Sequence, residues 1–224
     1  MTELLHVEAK VRGRVLVRAA SNPVGMIALF HGYAQNAEDA LADLDSTPGI
    51  DRWTIVSIQA LNWFYARGGQ QAGGDKVVAS WMTRQDRDLA ITDNVGYVDR
   101  ALDAAVKDFP QPAARRPQPV FVGFSQGASM AYRAAMLGSH EPAGIVALAG
   151  DIPPEVRAGQ RRAWPPVMIG VGDQEHWYTA PKLESDVNFL LGAGITPEIN
   201  RFSGKHEWTE EFRHALAMWL TTQH

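Results

Sequence analysis

Short apolar runs recur along the chain at residues 26–30, 53–58, 120–124, 145–148 and 167–171, and each has the length and the β-branched or aromatic content of a buried strand. Between them the period changes from two to between three and four. From about Arg87 to Phe109, Ile91, Val95, Val98, Leu102, Val106 and Phe109 fall at steps of three or four and define one buried helical stripe. Residues 128–137 are rich in Ala and Met and close on Gly138, so they read as a helix. Leu183, Val187, Leu190 and Leu191 mark another, and Phe212, Leu216, Trp219 and Leu220 a last one. Ahead of all these, residues 5–17 alternate apolar and polar positions around Arg12-Gly13, which predicts a half-exposed antiparallel hairpin. Strand and helix in alternation predict an α/β fold: a mostly parallel sheet with an antiparallel N-terminal hairpin and helices on both faces. Such sheets place their active sites at the carboxyl ends of the strands.

Two segments interrupt this rhythm. Residues 110–119 are proline-rich but short, and read as a loop entering a strand rather than as a linker. Residues 62–85 hold Trp63, Phe64, Tyr65 and Trp81 beside Gly68, Gly69, Gly73 and Gly74 with no clean period, so they predict a long functional loop. No internal repeat is present, and one domain spanning residues 1–224, without a separate cap, is the expectation. At 46% hydrophobic and 21% charged residues the chain can bury a substantial core. A formal charge of -4 argues against a nucleic-acid partner, and the pairs Arg115-Arg116 and Arg161-Arg162 are too short to change that. The absence of cysteine excludes disulfides, cysteine nucleophiles and thiolate metal sites. Charges at Glu3, Glu8, Lys10, Arg12 and Arg14 interrupt the N-terminal apolar residues, so neither a signal peptide nor a membrane span is expected, and the expected location is cytoplasmic. The sequence leaves the oligomeric state open, a homodimer included.

The chemistry concentrates at strand ends. Gly123-Phe124-Ser125-Gln126-Gly127 sits where a buried strand gives way to a helix, with small residues flanking one serine on a tight turn. That context predicts Ser125 as a nucleophile. A serine hydroxyl needs a base, and the base needs an acid to orient it. Of the seven histidines, His206 follows the strand predicted at residues 196–202, whereas His6, His140, His214 and His224 lie in the hairpin, behind or within helices, or at the terminus. For the acid, Asp173 ends the run through Gly172; Asp151, after the preceding strand, and Glu175, in the same loop as Asp173, are its rivals. Oxyanion donors are expected from the N–H of Gln126, at the start of a helix, and of Tyr33, in the turn after an early strand. His31 in that turn reads as a brace for the loop rather than as the base.

In these residues the chain resembles the α/β-hydrolase superfamily, and within it the small carboxylesterase, phospholipase and acyl-thioesterase group that lacks a cap domain. The resemblance is carried by His31-Gly32, the residue 123–127 elbow, Gly172-Asp173 and Gly204-Lys205-His206, in the family's order. The sequence departs from the pattern at Ala34, where glycine is common, and in the aromatic segment from Trp63 to Trp81. The expected activity is hydrolysis of carboxylic esters with small or medium apolar acyl or alcohol groups, through an acyl-enzyme on Ser125, His206 and Asp173. Thioester or peptide hydrolysis would use the same groups, and a binding protein that lost catalysis is the alternative of another class. Trp63, Phe64, Trp81 and Trp177, with Tyr178, are expected to wall the substrate pocket. No cofactor is expected, and no metal either, since His206-Glu207 lacks an H-E-x-x-H spacing.

Overall fold

A computed structural model describes residues 1–66, 76–109, 118–159 and 162–222. Gly68, Gly69, Gly73 and Gly74, most of the proline-rich stretch, Arg115, Arg116, Arg161 and His224 lie outside the described residues. In chain order the elements are β1 (Arg14–Arg18), β2 (Gly25–Phe30), α1 (Ala37–Asp45), β3 (Trp53–Gln59), β4 (Asn62–Tyr65), β5 (Val77–Ser80), α2 (Arg87–Asp108) and β6 (Val120–Phe124). These are followed by α3 (Gln126–Leu137), β7 (Gly144–Leu148), α4 (Pro154–Ala158), β8 (Val167–Gly172), α5 (Ala180–Gly192), β9 (Glu198–Phe202) and α6 (Glu210–Leu220). Seven strands form one sheet in the order β1-β3-β2-β6-β7-β8-β9, parallel throughout except for the β1–β3 pair.

The alternation within each strand sends its side chains to two separate cores. Met26, Ala28 and Phe30 of β2, with Phe121 of β6 and Ala147 of β7, face a cluster shared with Val98 of α2, Met130 of α3 and Leu190 of α5. Ile27, Leu29, Val122 and Val146 point the other way, onto Leu44 of α1 and Leu216 of α6. Because both faces are covered, β2, β6, β7 and β8 are apolar at nearly every position. The α2 stripe does what its spacing predicts: Ile91, Val98 and Leu102 are buried, and Val95, Val106 and Phe109 pack against them from the edge. The register pairs Phe30 with Gly123, Phe124 with Leu148 and Gly172 with Phe202. The loops leaving β2, β6, β8 and β9 therefore emerge along one rim.

Two expectations are corrected. The antiparallel start is a single strand, β1, paired with β3; residues 1–13 form no strand and are exposed, so the hairpin at residues 5–17 is absent. Their alternation is that of an edge, and nothing on the solvent side holds a second strand there. The segment at residues 62–85 is not all loop, since β4 and β5 pair antiparallel, Trp63 opposite Ala79. Among the described residues between Asp151 and Arg162, α4 spans five residues.

Helix α3 approaches the sheet closely enough to exclude side chains. A Cβ on Gly127 would stand 2.2 Å from the Phe30 carbonyl oxygen, and one on Gly123 would stand 2.1 Å from the Gly127 carbonyl oxygen. Both obstacles are backbone and cannot rotate away. Gly127→Ala is therefore expected to lower stability by about 1–3 kcal/mol. Gly192→Ala, at the end of α5 with nothing within 4 Å, should leave stability unchanged or raise it by roughly 0.5–1 kcal/mol. Chemical denaturation of the two variants side by side checks the contrast, and equal stabilities would contradict it.

Candidate active site

The turn between β6 and α3 forces Ser125 to φ +55° and ψ -119°, a conformation non-glycine residues adopt at a cost of order 1–3 kcal/mol. The Ser125 N–H donates to the Leu148 carbonyl at 2.8 Å, so the end of β7 holds the strained residue in place. Its Oγ lies 2.7 Å from Nε2 of His206, which stands on the loop leaving β9. The His206 ring also packs on Phe124, with centroids 4.8 Å apart.

On the other side of the ring, Nδ1 of His206 lies 2.7 Å from Oε2 of Glu175, whose side chain is only 1% exposed. Burial opposes the charge on Glu175, but hydrogen bonds from the Trp177 N–H and from His206 outweigh it, and the carboxyl is held below its ordinary value. An ionised carboxylate only accepts, so Nδ1 carries the ring proton and Nε2 is free to accept from the Ser125 hydroxyl. The other oxygen of Glu175 accepts from the N–H groups of Trp177 at 2.6 Å and Tyr178 at 3.3 Å.

Asp173, expected beside His206, is not there. Its Oδ1 accepts from the Gly204 N–H at 3.0 Å, and its own N–H donates to the Phe202 carbonyl at 2.9 Å. Asp173 thus ties the end of β8 to the loop that carries His206. The chain turns back after Gly172, bringing the longer glutamate side chain, two residues on, to the imidazole. Asp151 is also placed elsewhere, 3.4 Å from Nζ of Lys182. The carboxylate that lies against His206 is that of Glu175.

The turn after β2 is pinned from several directions. His31 is fully buried; its Nδ1 donates to the Gly32 carbonyl at 2.7 Å, and its Nε2 accepts from the Ala60 N–H at 3.0 Å. Because the Ala60 N–H is a donor, Nε2 carries no proton and the ring is neutral; burial lowers its pKa in the same sense. The N–H of Gly32 donates to the Gln35 side chain and that of Ala34 to the Ala79 carbonyl. Among the described residues the Tyr33 N–H takes no partner. Ala34 occupies the left-handed region at φ +58°, a conformation that favours glycine. Gln126 opens α3, so its N–H has no acceptor inside the helix. Its side chain accepts from the Trp81 N–H at 2.9 Å and donates to the Met82 carbonyl at 3.1 Å, clamping the segment after β5 over the elbow.

A cavity of about 160 Å³ opens beside Ser125, lined among others by Gln126, Ser129, Asp151, Trp177, Tyr178 and Lys182. Of the five aromatics expected to wall a pocket, Trp177, 74% exposed, and the buried Tyr178 line it. Trp81 is fully buried: its ring lies against Phe30 and His31, and its Nε1 donates to the His31 carbonyl at 2.9 Å. Its side chain is taken up by the turn and the core rather than by the cavity. Trp63 donates to the Ala60 carbonyl at 2.7 Å, and Phe64 packs on Tyr33 with centroids 5.6 Å apart, so both sit near the turn rather than in the cavity. Sequence patterning missed Ser129 and Lys182, whose only signal is their position one helical turn or less beyond a rim loop. Among the described residues no group of three His, Asp or Glu could hold a metal ion, and no helix is long and apolar enough to cross a membrane.

A mostly parallel sheet with a serine elbow after β6 and an acid and a histidine on later rim loops defines an α/β hydrolase fold. Residues 13–186 match the Phospholipase/Carboxylesterase family, and the chain belongs to that family. Solved structures show the same fold. A Bacillus cereus carboxylesterase aligns over 95% of this chain and 95% of its own at 16% identity, with a TM-score of 0.70. The esterase PE8 aligns over 96% and 100% at 22% identity, with a TM-score of 0.67, and a Zea mays acyl-protein thioesterase 2 over 95% and 99% at 17% identity, with a TM-score of 0.64. No curated protein matches the sequence.

If Glu175 orients His206, Glu175→Gln should reduce turnover of a p-nitrophenyl ester by on the order of 10³–10⁴-fold, the scale of losing an orienting carboxylate. Asp173→Asn, which keeps an acceptor for the Gly204 N–H, should cost about tenfold or less. The reverse ranking in steady-state kinetics would return the role to Asp173.

Proposed function

We propose that the protein is a serine hydrolase that cleaves carboxylic esters through an acyl-enzyme. The observation that carries this reading is the continuous hydrogen-bonded path from Ser125 Oγ through His206 to Glu175, with 2.7 Å at each step. In the proposed reaction the Ser125 oxygen attacks the ester carbonyl as Nε2 of His206 takes its proton. Glu175 stabilises the imidazolium that forms. The N–H groups of Gln126 and Tyr33, without backbone partners among the described residues, would receive the oxyanion. Collapse expels the alcohol, which takes the proton from His206, and water then repeats the sequence on the acyl group. Family membership and the likeness to esterases support an ester as the scissile bond. Thioesters are the second reading, because the maize structure is an acyl-protein thioesterase and the catalytic groups would serve both bonds. The limited cavity beside the serine favours small or medium acyl or alcohol groups.

Ser125→Ala should lower p-nitrophenyl acetate hydrolysis by on the order of 10⁶-fold while the thermal unfolding curve stays that of a folded protein. A fluorophosphonate should label the wild type at one serine and leave the variant unlabelled. Labelling of the variant, or retained turnover, would contradict the mechanism.

A further inference from the structure

We propose that the Asp151–Lys182 ion pair is a movable partition that sets how long a substrate group the site accepts, an inference that rests on the hydrolase reading of Ser125. The 160 Å³ cavity beside Ser125 has these two side chains in its wall. On their far side lies an open groove of about 500 Å³, lined by Ile152, Pro154, Arg157, Pro181 and Asp186 together with the same pair. Asp151 and Lys182 are the residues the two spaces share. Beyond them the wall offers apolar surface from Ile152 and two prolines, and its charged groups, Arg157 and Asp186, are bonded to each other. That surface suits an alkyl chain that has passed the pair.

The partition is soft while its frame is rigid. The Nζ to Oδ2 separation is 3.4 Å, and the two side chains are 50% and 46% exposed, so their attraction is screened and weak. The backbones carrying them are fixed. The Asp151 carbonyl accepts from the Ser129 hydroxyl at 3.0 Å, and the next N–H, on Ile152, donates to the fully buried Asp186 carboxylate at 3.2 Å. Lys182 stands in the first turn of α5, and Tyr178 in the loop leading into that helix donates to Asp186 at 2.8 Å. Swinging the two side chains apart would join cavity and groove without moving either loop. Closed, the pair stands between the space beside Ser125 and the groove.

The test is a series of alkyl fluorophosphonates from ethyl to dodecyl, in which the Ser125 oxygen forms a bond to phosphorus, fluoride leaves, and His206 takes the hydroxyl proton. Labelling rates are compared for the wild type, Lys182→Ala and Asp151→Ala, each at low and high salt. The octyl-to-ethyl rate ratio should rise about tenfold in either variant, the scale of one or two newly buried methylenes. In the wild type, salt should raise the ratio by screening the pair, and this response should be missing from both variants. Ratios within about twofold of the wild type in both variants, a change confined to one of them, or a salt response that persists without the pair would overturn the partition. If one variant fails to fold, the wild-type salt response and the other variant decide the matter. Failure of every probe to label the wild type would overturn the hydrolase reading itself, and the partition with it, and is distinct from labelling whose chain-length preference does not move.

Discussion

The site depends on a steric constraint at the elbow, where backbone lies directly on backbone. Between β6, α3 and the end of β2 there is no volume for a side chain at Gly123 or Gly127, and a Cβ on Gly150 would come within 2.5 Å of the Ser125 carbonyl oxygen. A similar contact recurs at Gly172, where a Cβ would stand 2.4 Å from the Gly204 carbonyl oxygen and separate the acid's loop from the histidine's. These contacts bring four loops to one rim at hydrogen-bonding range. They also hold Ser125 in the left-handed region, a strain that the buried strands on either side can sustain because they are packed on both faces.

Onto this frame the polar groups at the rim are arranged in hydrogen-bonded chains. His206 is held between a hydroxyl and a carboxylate, and the carboxylate is itself held by two backbone N–H groups. Asp173 and His31 serve one step further out. The first ties the histidine's loop to β8, and the second, a neutral ring, links the turn after β2 to Ala60 while Trp81 supports it from beneath. The hairpin of β4 and β5 gains its place in the same way, through the Gln35–Ala79 bridge and the Gln126 side chain.

Much of the fold was legible because period-two and period-three-to-four patterns report directly which face is buried. The strands β2, β3, β6, β7 and β8, the α2 stripe and the elbow around Ser125 follow from patterns of that kind, as does the position of His206 on the loop after the last strand. What escaped depended on contacts that patterns do not encode. Asp173 and Glu175 are both acids in one short loop, and only the path of the chain after Gly172 decides which reaches the imidazole. Trp81 stood among glycines and aromatics and read as a pocket wall, yet its indole N–H finds the His31 carbonyl and its ring fills the core. The alternation at residues 5–17 resembled a hairpin because an edge strand and an exposed arm share the same period; pairing with β3 is a long-range choice.

The central claim, that Glu175 rather than Asp173 holds His206 against Ser125, is tested most directly by proton NMR of the imidazole. A proton on Nδ1 shared with a buried carboxylate gives a far-downfield resonance. The account predicts that this signal is present in the wild type and in Asp173→Asn and absent from Glu175→Gln. Its loss in Asp173→Asn and survival in Glu175→Gln would contradict the account.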